Sequence, residues 1–186
     1  MSPTDPRVLD DIVKAYDVRG TVPDQINTDV AYALGVGFAR FCQAPRVLVA
    51  RDMRPSGPEL VDAFSRGVME HGSDVVDLGL ASTDLMYYAA GTLDAPGAMF
   101  TASHNPAGYN GVKFCLSGAR PVGVDTGLDE VKRVAGDVLE GHGPLPAATA
   151  GSQQAHGHAE GRAIPFADPS SPTRVLLIAS GKGGVG

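Results

Sequence analysis

Between residues 27 and 139, short apolar runs that read as buried strands alternate with longer stretches of helical periodicity, and this restricts the fold more than any other feature. Behind an Asn27/Thr28 cap, Val30, Leu34, Phe38 and Phe41 recur at helical spacing and predict an amphipathic helix. Val47 to Ala50 then reads as a buried strand. Past the polar turn RDMRPS, Pro58 stands where a first helical turn accepts it, and Leu60, Phe64, Val68 and Met69 mark the buried stripe of a second helix. Gly72 ends that helix. A strand follows at Val75 to Leu78, then a helix from Thr83 to Leu93, strands from Ala98 to Thr101 and Val112 to Leu116, and a last helix from Leu128 to Leu139. Strands apolar on both faces, joined through helices by short loops, predict a sheet covered on both sides. The expected fold over residues 1–140 is a three-layer α/β/α domain on a mixed, mostly parallel sheet.

The chain has 186 residues and 43% apolar side chains, enough for one domain with a substantial core. Its formal charge of -6 gives no electrostatic footprint for nucleic acid. No apolar run reaches the roughly 20 residues that span a bilayer, and the first residues lack the apolar stretch of a secretory signal. A cytoplasmic protein with no nucleic-acid or membrane partner is expected. Cys42 and Cys115, in apolar surroundings and without His or Cys at ligand spacing, read as reduced thiols.

After Glu140 the composition shifts to Gly, Ala, Pro and Gln with almost no large apolar residue, which predicts a flexible linker over 141–165. His142, His156 and His158 lie in it and read as solvated rather than as metal ligands. Residues 166–186, ending RVLLIASGKGGVG, turn from a strand pattern into a glycine-rich turn and read as an orphan strand opening a second domain.

The chemistry concentrates in TASHNPAGYNGVKF, residues 101–114. Ser103 follows a strand and precedes His104, Asn105 and Pro106, while Gly108, Asn110 and Gly111 tolerate left-handed backbone. A hydroxyl at a strand end, a histidine beside it and Lys113 at the start of the next strand make the parts of an activated nucleophile with a cation for phosphate. The plain alternative is a tight turn whose polar side chains satisfy its own backbone. Asp52, Arg51 and Arg54 sit near the expected cleft, where such a turn most often caps the next helix and pairs internally; no catalytic role is read there.

Taken whole, TASHNPAGYNGVKF closely resembles the active-site serine motif of the alpha-D-phosphohexomutases, the phosphomannomutase and phosphoglucomutase enzymes. AYDVRG at 15–20, VLVARDMRPSGPEL at 47–60 and VVDLGLASTDLMYYA at 75–89 resemble further motifs of that family in the same order, and RPVGVDTGL resembles bacterial phosphomannomutases. The resemblance covers roughly residues 7–140. It implies interconversion of hexose 1-phosphate and hexose 6-phosphate through a phosphoserine and a sugar bisphosphate. Ser103 would carry the phosphoryl group and ligate Mg2+ through it; Arg19 and Lys113 would flank it; His104 would support it or carry a proton; Tyr16, Arg19 and Asn105 would line the sugar cleft. Without the resemblance, Arg19 reads as a surface ion pair with Asp17, and Lys113 as an edge-strand lysine.

The family's enzymes have four domains. The Asp-Gly-Asp-Gly-Asp metal loop of the second is absent from this sequence, so three expected Mg2+ ligands are missing and the chain alone is expected not to be a competent mutase. The tail resembles the start of an Mrp-type P-loop ATPase, an iron-sulfur carrier, cut off inside its Walker A turn. Lys182, Gly183, Gly184 and Gly186 would begin a phosphate cradle without finishing it. A fragment of such a carrier and a non-catalytic interaction module are the alternative functions.

Overall fold

The structure, a computed structural model, describes residues 4–155. The expected P-loop segment with Lys182, Gly183, Gly184 and Gly186, the rest of the expected linker, and His156 and His158 all lie outside the described residues.

The chain forms α1 (Val8–Ile12), β1 (Val18–Thr21), α2 (Thr28–Cys42), β2 (Arg46–Arg51), α3 (Gly57–Glu70), β3 (Asp74–Leu80), α4 (Thr83–Thr92), β4 (Gly97–Phe100), β5 (Tyr109–Leu116), β6 (Arg120–Pro121), α5 (Leu128–Leu139) and β7 (Gln153–Ala155). Helix α2 starts where its cap predicts: the Asn27 side chain accepts hydrogen bonds from the Asp29 and Val30 amides, satisfying two of the donors a helix leaves open at its start. Ser82 does the same for α4 through the Leu85 amide.

One sheet contains all seven strands of the described residues, in the order β1-β5-β4-β2-β3-β7, with β6 extending the line of β1 along β5. β2 pairs in parallel with β3 and β4, and β3 with β7, whereas β5 is antiparallel to β1, β4 and β6. Six strands therefore run one way and β5 alone runs back. The expectation of a mixed sheet, mostly parallel in direction, agrees with this.

Strand β2 shows why the sheet is covered on both faces. Val47 and Val49 point into a core with α2, α3 and α5, and Leu48 and Ala50 point into a second core under α4. The larger core centres on Phe38, Phe64, Phe100 and Phe114; the Phe38 and Phe114 rings stack at 4.5 Å, and Phe64 meets Phe100 edge-on at 5.4 Å. Helices α2 and α3 touch backbone to backbone. A Cβ on Gly35 would lie 2.2 Å from the Phe64 carbonyl oxygen, and one on Gly67 would lie 2.4 Å from that of Tyr32.

Two parts differ from the sequence expectation. Helix α1 and strand β1 were not foreseen, because Val18–Thr21 is four residues long and carries Arg19 and Gly20 inside it. Residues 147–155, expected to belong to a flexible linker, cross the end of α3 and then pair with the outer edge of β3. The Ala147 amide donates to Glu70 O, the Gly151 amide to Met69 O and the Val75 amide to Ser152 O, each at 2.7 Å. Main-chain groups make these contacts, so a segment without large apolar side chains is held by bonds that composition does not register.

Candidate functional site

In an open sheet, loops leaving the carboxyl ends of parallel strands converge on one edge, and side chains there are free to meet a ligand. Here β2 and β4 end side by side, with Arg51 opposite Phe100 and the Asp52 amide donating to Phe100 O at 2.9 Å. Two polar loops leave that edge: Asp52 to Ser56 ahead of α3, and Thr101 to Gly108 ahead of β5.

Within the second loop Thr101 and Ala102 are buried, and Ser103 and His104 are exposed. The Thr101 amide donates to Gly111 O at 3.0 Å and the Asn105 amide to Ala102 O at 3.0 Å, so the loop doubles back and lifts Ser103 to its tip. Ser103 has φ 55°, the left-handed region. Gly108, Asn110 and Gly111 are the residues that tolerate that conformation, but in this loop the serine adopts it. Gly111 serves another need: a Cβ there would lie 2.1 Å from the Val18 carbonyl oxygen, so only glycine lets β1 close on β5. Asn110, fully buried, locks the loop's exit by donating to Ser56 Oγ at 2.9 Å and accepting the Gly111 amide at 2.8 Å.

Of the residues singled out from the sequence, His104 and Asn105 lie in the loop, Arg19 bonds to it, and Lys113 joins Arg19 through a shared carboxylate. Ser103 Oγ is 3.3 Å from His104 Nδ1, with the direction of donation set by the imidazole tautomer. Arg19, opposite Gly111 in the β1–β5 ladder, donates from one terminal nitrogen to Asn105 Oδ1 at 3.2 Å and from the other to Asp17 Oδ2 at 2.6 Å. Its Nε is buried and has no hydrogen-bond partner in the described structure. Lys113 Nζ approaches the same Asp17 oxygen at 3.4 Å. Lys113 stands within β5, a strand flanked by β1 and β4, and is neither at its start nor on an edge. One carboxylate thus gathers two cations and leaves the cluster with one excess positive charge beside the serine loop. Tyr16 is 76% exposed, its ring against Gly123, where a Cβ would lie 3.0 Å from Tyr16 Cδ1.

Two participants were not picked out from the sequence. Asp17 figured there only as a surface partner for Arg19, yet it is the junction between Arg19 and Lys113. Arg54, 9% exposed, was read as pairing within its own turn. It does pair with Asp52, Nε to Oδ2 at 3.2 Å, but its terminal nitrogens reach across 49 to 55 residues of sequence to main-chain oxygens of the serine loop and of Tyr109 at the head of β5. Carbonyl acceptors belong to every residue type, so no side-chain pattern announces such a contact.

No group of three or more His, Cys, Asp or Glu suited to a metal ion occurs among the described residues. Asp17 is occupied by two cations, Asp52 by Arg54 and Thr101, and His142 stands 3.7 Å from Glu140. A six-oxygen cation such as Mg2+ does not find its ligand set in this donor arrangement.

A family model described as phosphoglucomutase/phosphomannomutase, alpha/beta/alpha domain I, matches residues 10–136. The chain belongs to that family. Its match to a phosphomannomutase of Klebsiella pneumoniae is 40% identical over 123 residues, covering 66% of this chain and 78% of that protein. A phosphomannomutase of Escherichia coli is also 40% identical over 123 residues, but only 27% of its length is covered. In the crystal structure of a phosphoglucomutase/phosphomannomutase family protein from Burkholderia thailandensis, 32% of the chain superposes on 77% of this one, with TM-score 0.66 and 33% identity. This phosphohexomutase domain thus spans about a third or less of the length of those two longer relatives. The family is one of isomerases that move phosphoryl groups, and it is generally metal-dependent.

Proposed function

We propose that this domain carries the phosphoserine of a hexose-phosphate mutase, with Ser103 Oγ as the phosphoryl carrier. The observation that carries the proposal is the placement of Arg19, whose guanidinium is tied to the serine loop through Asn105 and keeps a buried Nε without a partner. A guanidinium tied to the loop through a neutral amide keeps positive charge beside the tip, which suits a phosphoryl group carried there.

In the proposed reaction the Ser103 Oγ–P bond breaks as a hydroxyl of a hexose monophosphate forms a new O–P bond. The hydroxyl proton passes to a base and from it to the departing Ser103 Oγ, so that a hexose bisphosphate and an unphosphorylated Ser103 hydroxyl result. After the bisphosphate turns over, its other phosphoryl returns to Ser103, the serine proton passes to the departing sugar oxygen, and the isomeric monophosphate is released. Arg19 and Lys113 oppose the charge spread over the transferring group, and His104, at 3.3 Å from Ser103 Oγ, moves the proton. Asn105 and Tyr16 face the sugar. A metal ion, Mg2+ by the family's habit, would offset phosphate charge, with ligands other than the described acidic side chains. The substrate is a hexose phosphate, mannose or glucose. The domain unit 1–140 is retained in this reading, with residues 147–155 packed on its edge. A cytoplasmic setting fits such substrates and two free cysteines, of which buried Cys115 is pushed up to about 11.

Incubation of the chain with glucose 1,6-bisphosphate and Mg2+, followed by intact-mass analysis and peptide mapping, tests the proposal. One phosphoryl group on Ser103, lost in Ser103→Ala, is expected; a wild-type chain that takes up none at any bisphosphate concentration sinks it.

A further inference from the structure

Arg54 and Arg19 both approach the serine loop, but they are used in opposite ways. Every N–H of the Arg54 guanidinium is spent on protein. Nε donates to Asp52 Oδ2 at 3.2 Å, one terminal nitrogen donates to Pro106 O and Tyr109 O at 2.8 Å each, and the other donates to Asn105 O at 2.8 Å and Ser103 O at 2.9 Å. Five donors in a rigid planar fork meet five acceptors, an arrangement that only arginine can satisfy. Nothing remains to grip a ligand.

The acceptor Asp52 closes a second path to the same serine. Its Oδ2 accepts from Thr101 Oγ1 at 2.7 Å, and Thr101 Oγ1 in turn accepts the Ser103 amide at 3.0 Å. The Asp52 carboxylate is itself fixed by the Arg54 amide, which donates to Oδ1 at 3.0 Å. Ser103 is therefore held from both peptide groups: its N–H through Thr101 and Asp52, its C=O directly by Arg54. Those two bonds bracket the φ of 55° that points the hydroxyl outward. A left-handed non-glycine residue persists only where its surroundings over-determine it.

We propose that Arg54 is a positioning residue for Ser103, clamping three carbonyls of the serine loop, that of Tyr109 at the head of β5 and, through Asp52 and Thr101, the serine amide, so that the hydroxyl is held in its reactive presentation. This rests on the phosphoserine reading for its chemistry and on the geometry alone for its clamp. Lysine keeps the charge but brings three donors on a tetrahedral head, too few for five acceptors.

The test compares wild type, Arg54→Lys, Arg54→Ala and Arg51→Lys, the last a neighbour whose one side-chain hydrogen bond among the described residues is a 3.5 Å bond to Asp52 O. Amide hydrogen exchange of Asn105 and Tyr109 is expected to quicken about tenfold or more in Arg54→Lys, with β2 and α2 unchanged and Arg51→Lys like wild type. Loading by glucose 1,6-bisphosphate at saturation is expected to slow about tenfold or more, with the half-saturating concentration within about twofold, and millimolar guanidinium is expected to restore part of the rate in Arg54→Ala. Loop exchange like wild type in Arg54→Lys overturns the proposal. So does faster exchange throughout the domain, which makes Arg54 a general core residue, and so does a raised half-saturating concentration at unchanged maximal rate, which makes it a phosphate ligand. A wild-type chain that does not load refutes the phosphoserine reading, and the exchange comparison still decides the clamp.

Discussion

Asp17 sits where two cations need one anchor. Its Oδ2 is 2.6 Å from the Arg19 guanidinium and 3.4 Å from Lys113 Nζ, with side chains only 14–29% exposed. Charge-assisted bonds at that depth are worth about 1.5–3 kcal/mol, so Asp17→Asn is expected to slow loading of Ser103 by about tenfold or more. The half-saturating bisphosphate concentration should fall or stay level, because the substitution also unmasks positive charge. A rate equal to wild type in a stopped time course with mass readout would show that Arg19 and Lys113 hold their places without it. The sequence named Ser103, His104, Asn105, Arg19, Lys113 and Tyr16 through two linear motifs, and the fold pairs Ser103 with His104 and links Asn105 to Arg19 and, through Asp17, to Lys113, leaving Tyr16 apart. Asp17 and Arg54 escaped because their meaning lies in pairs far apart in sequence: Asp17 with Lys113, Arg54 with carbonyls 49 to 55 positions on.

At the scale of elements, helical and strand periodicity located α2, α3, α4 and α5 and strands β2 to β5, because each buries a wide apolar stripe or a face on either side of the sheet. What periodicity leaves out is how closely elements approach. Gly35 and Gly67 let α2 and α3 touch at main-chain distance, so Gly35→Ala forces its methyl against the Phe64 carbonyl. The helices must part, and a loss of about 1–3 kcal/mol is expected by urea denaturation; an unchanged midpoint would mean the helices separate without cost. Strand β7 depends on a different bond. The Ser152 amide and hydroxyl both donate to Asp74 Oδ1, at 2.6 and 2.8 Å, and they hold the Asp74 carboxyl below its ordinary value of 3.8. A carboxylate depressed in the folded state stabilises the fold fully above its unfolded pKa and loses that contribution as pH falls through the lower folded value. The β7 edge should thus stay docked at neutral pH and loosen only as acid reaches below 3.8. A Ser152 amide shift that titrates with a midpoint at or above that value would contradict it, and Asp74→Asn should abolish the titration.

For the whole molecule, one reversed strand sets the geometry. Because β5 runs against the other six strands, the loop joining it to β4 turns back at the carboxyl edge, and the strand returns past Arg19 with Lys113 in its middle. The alternation in the sequence implies such an edge, but not that an antiparallel strand supplies its cation. The opposite flank of the sheet is held by main-chain bonds, which composition does not register. Both hydrophobic cores are built from residues 9–135, so removing residues 141–186 is expected to leave a folded domain with a melting point lower by only a few degrees. Removal takes β7 from β3, however, and exposes the main-chain groups of Val75 and Asp77 along a strand with apolar neighbours. An unpaired edge of that kind recruits another strand. The shortened chain should therefore self-associate with rising concentration in size-exclusion chromatography with light scattering, whereas the full chain should not do so through this edge. Adding Lys at Val75 should not be used to suppress that association, since Val75 is fully buried in the core. Asp77→Pro removes an edge donor instead, and it should return the shortened chain toward monomer. A shortened chain that remains monomeric at every concentration would show that β3 does not need its cover.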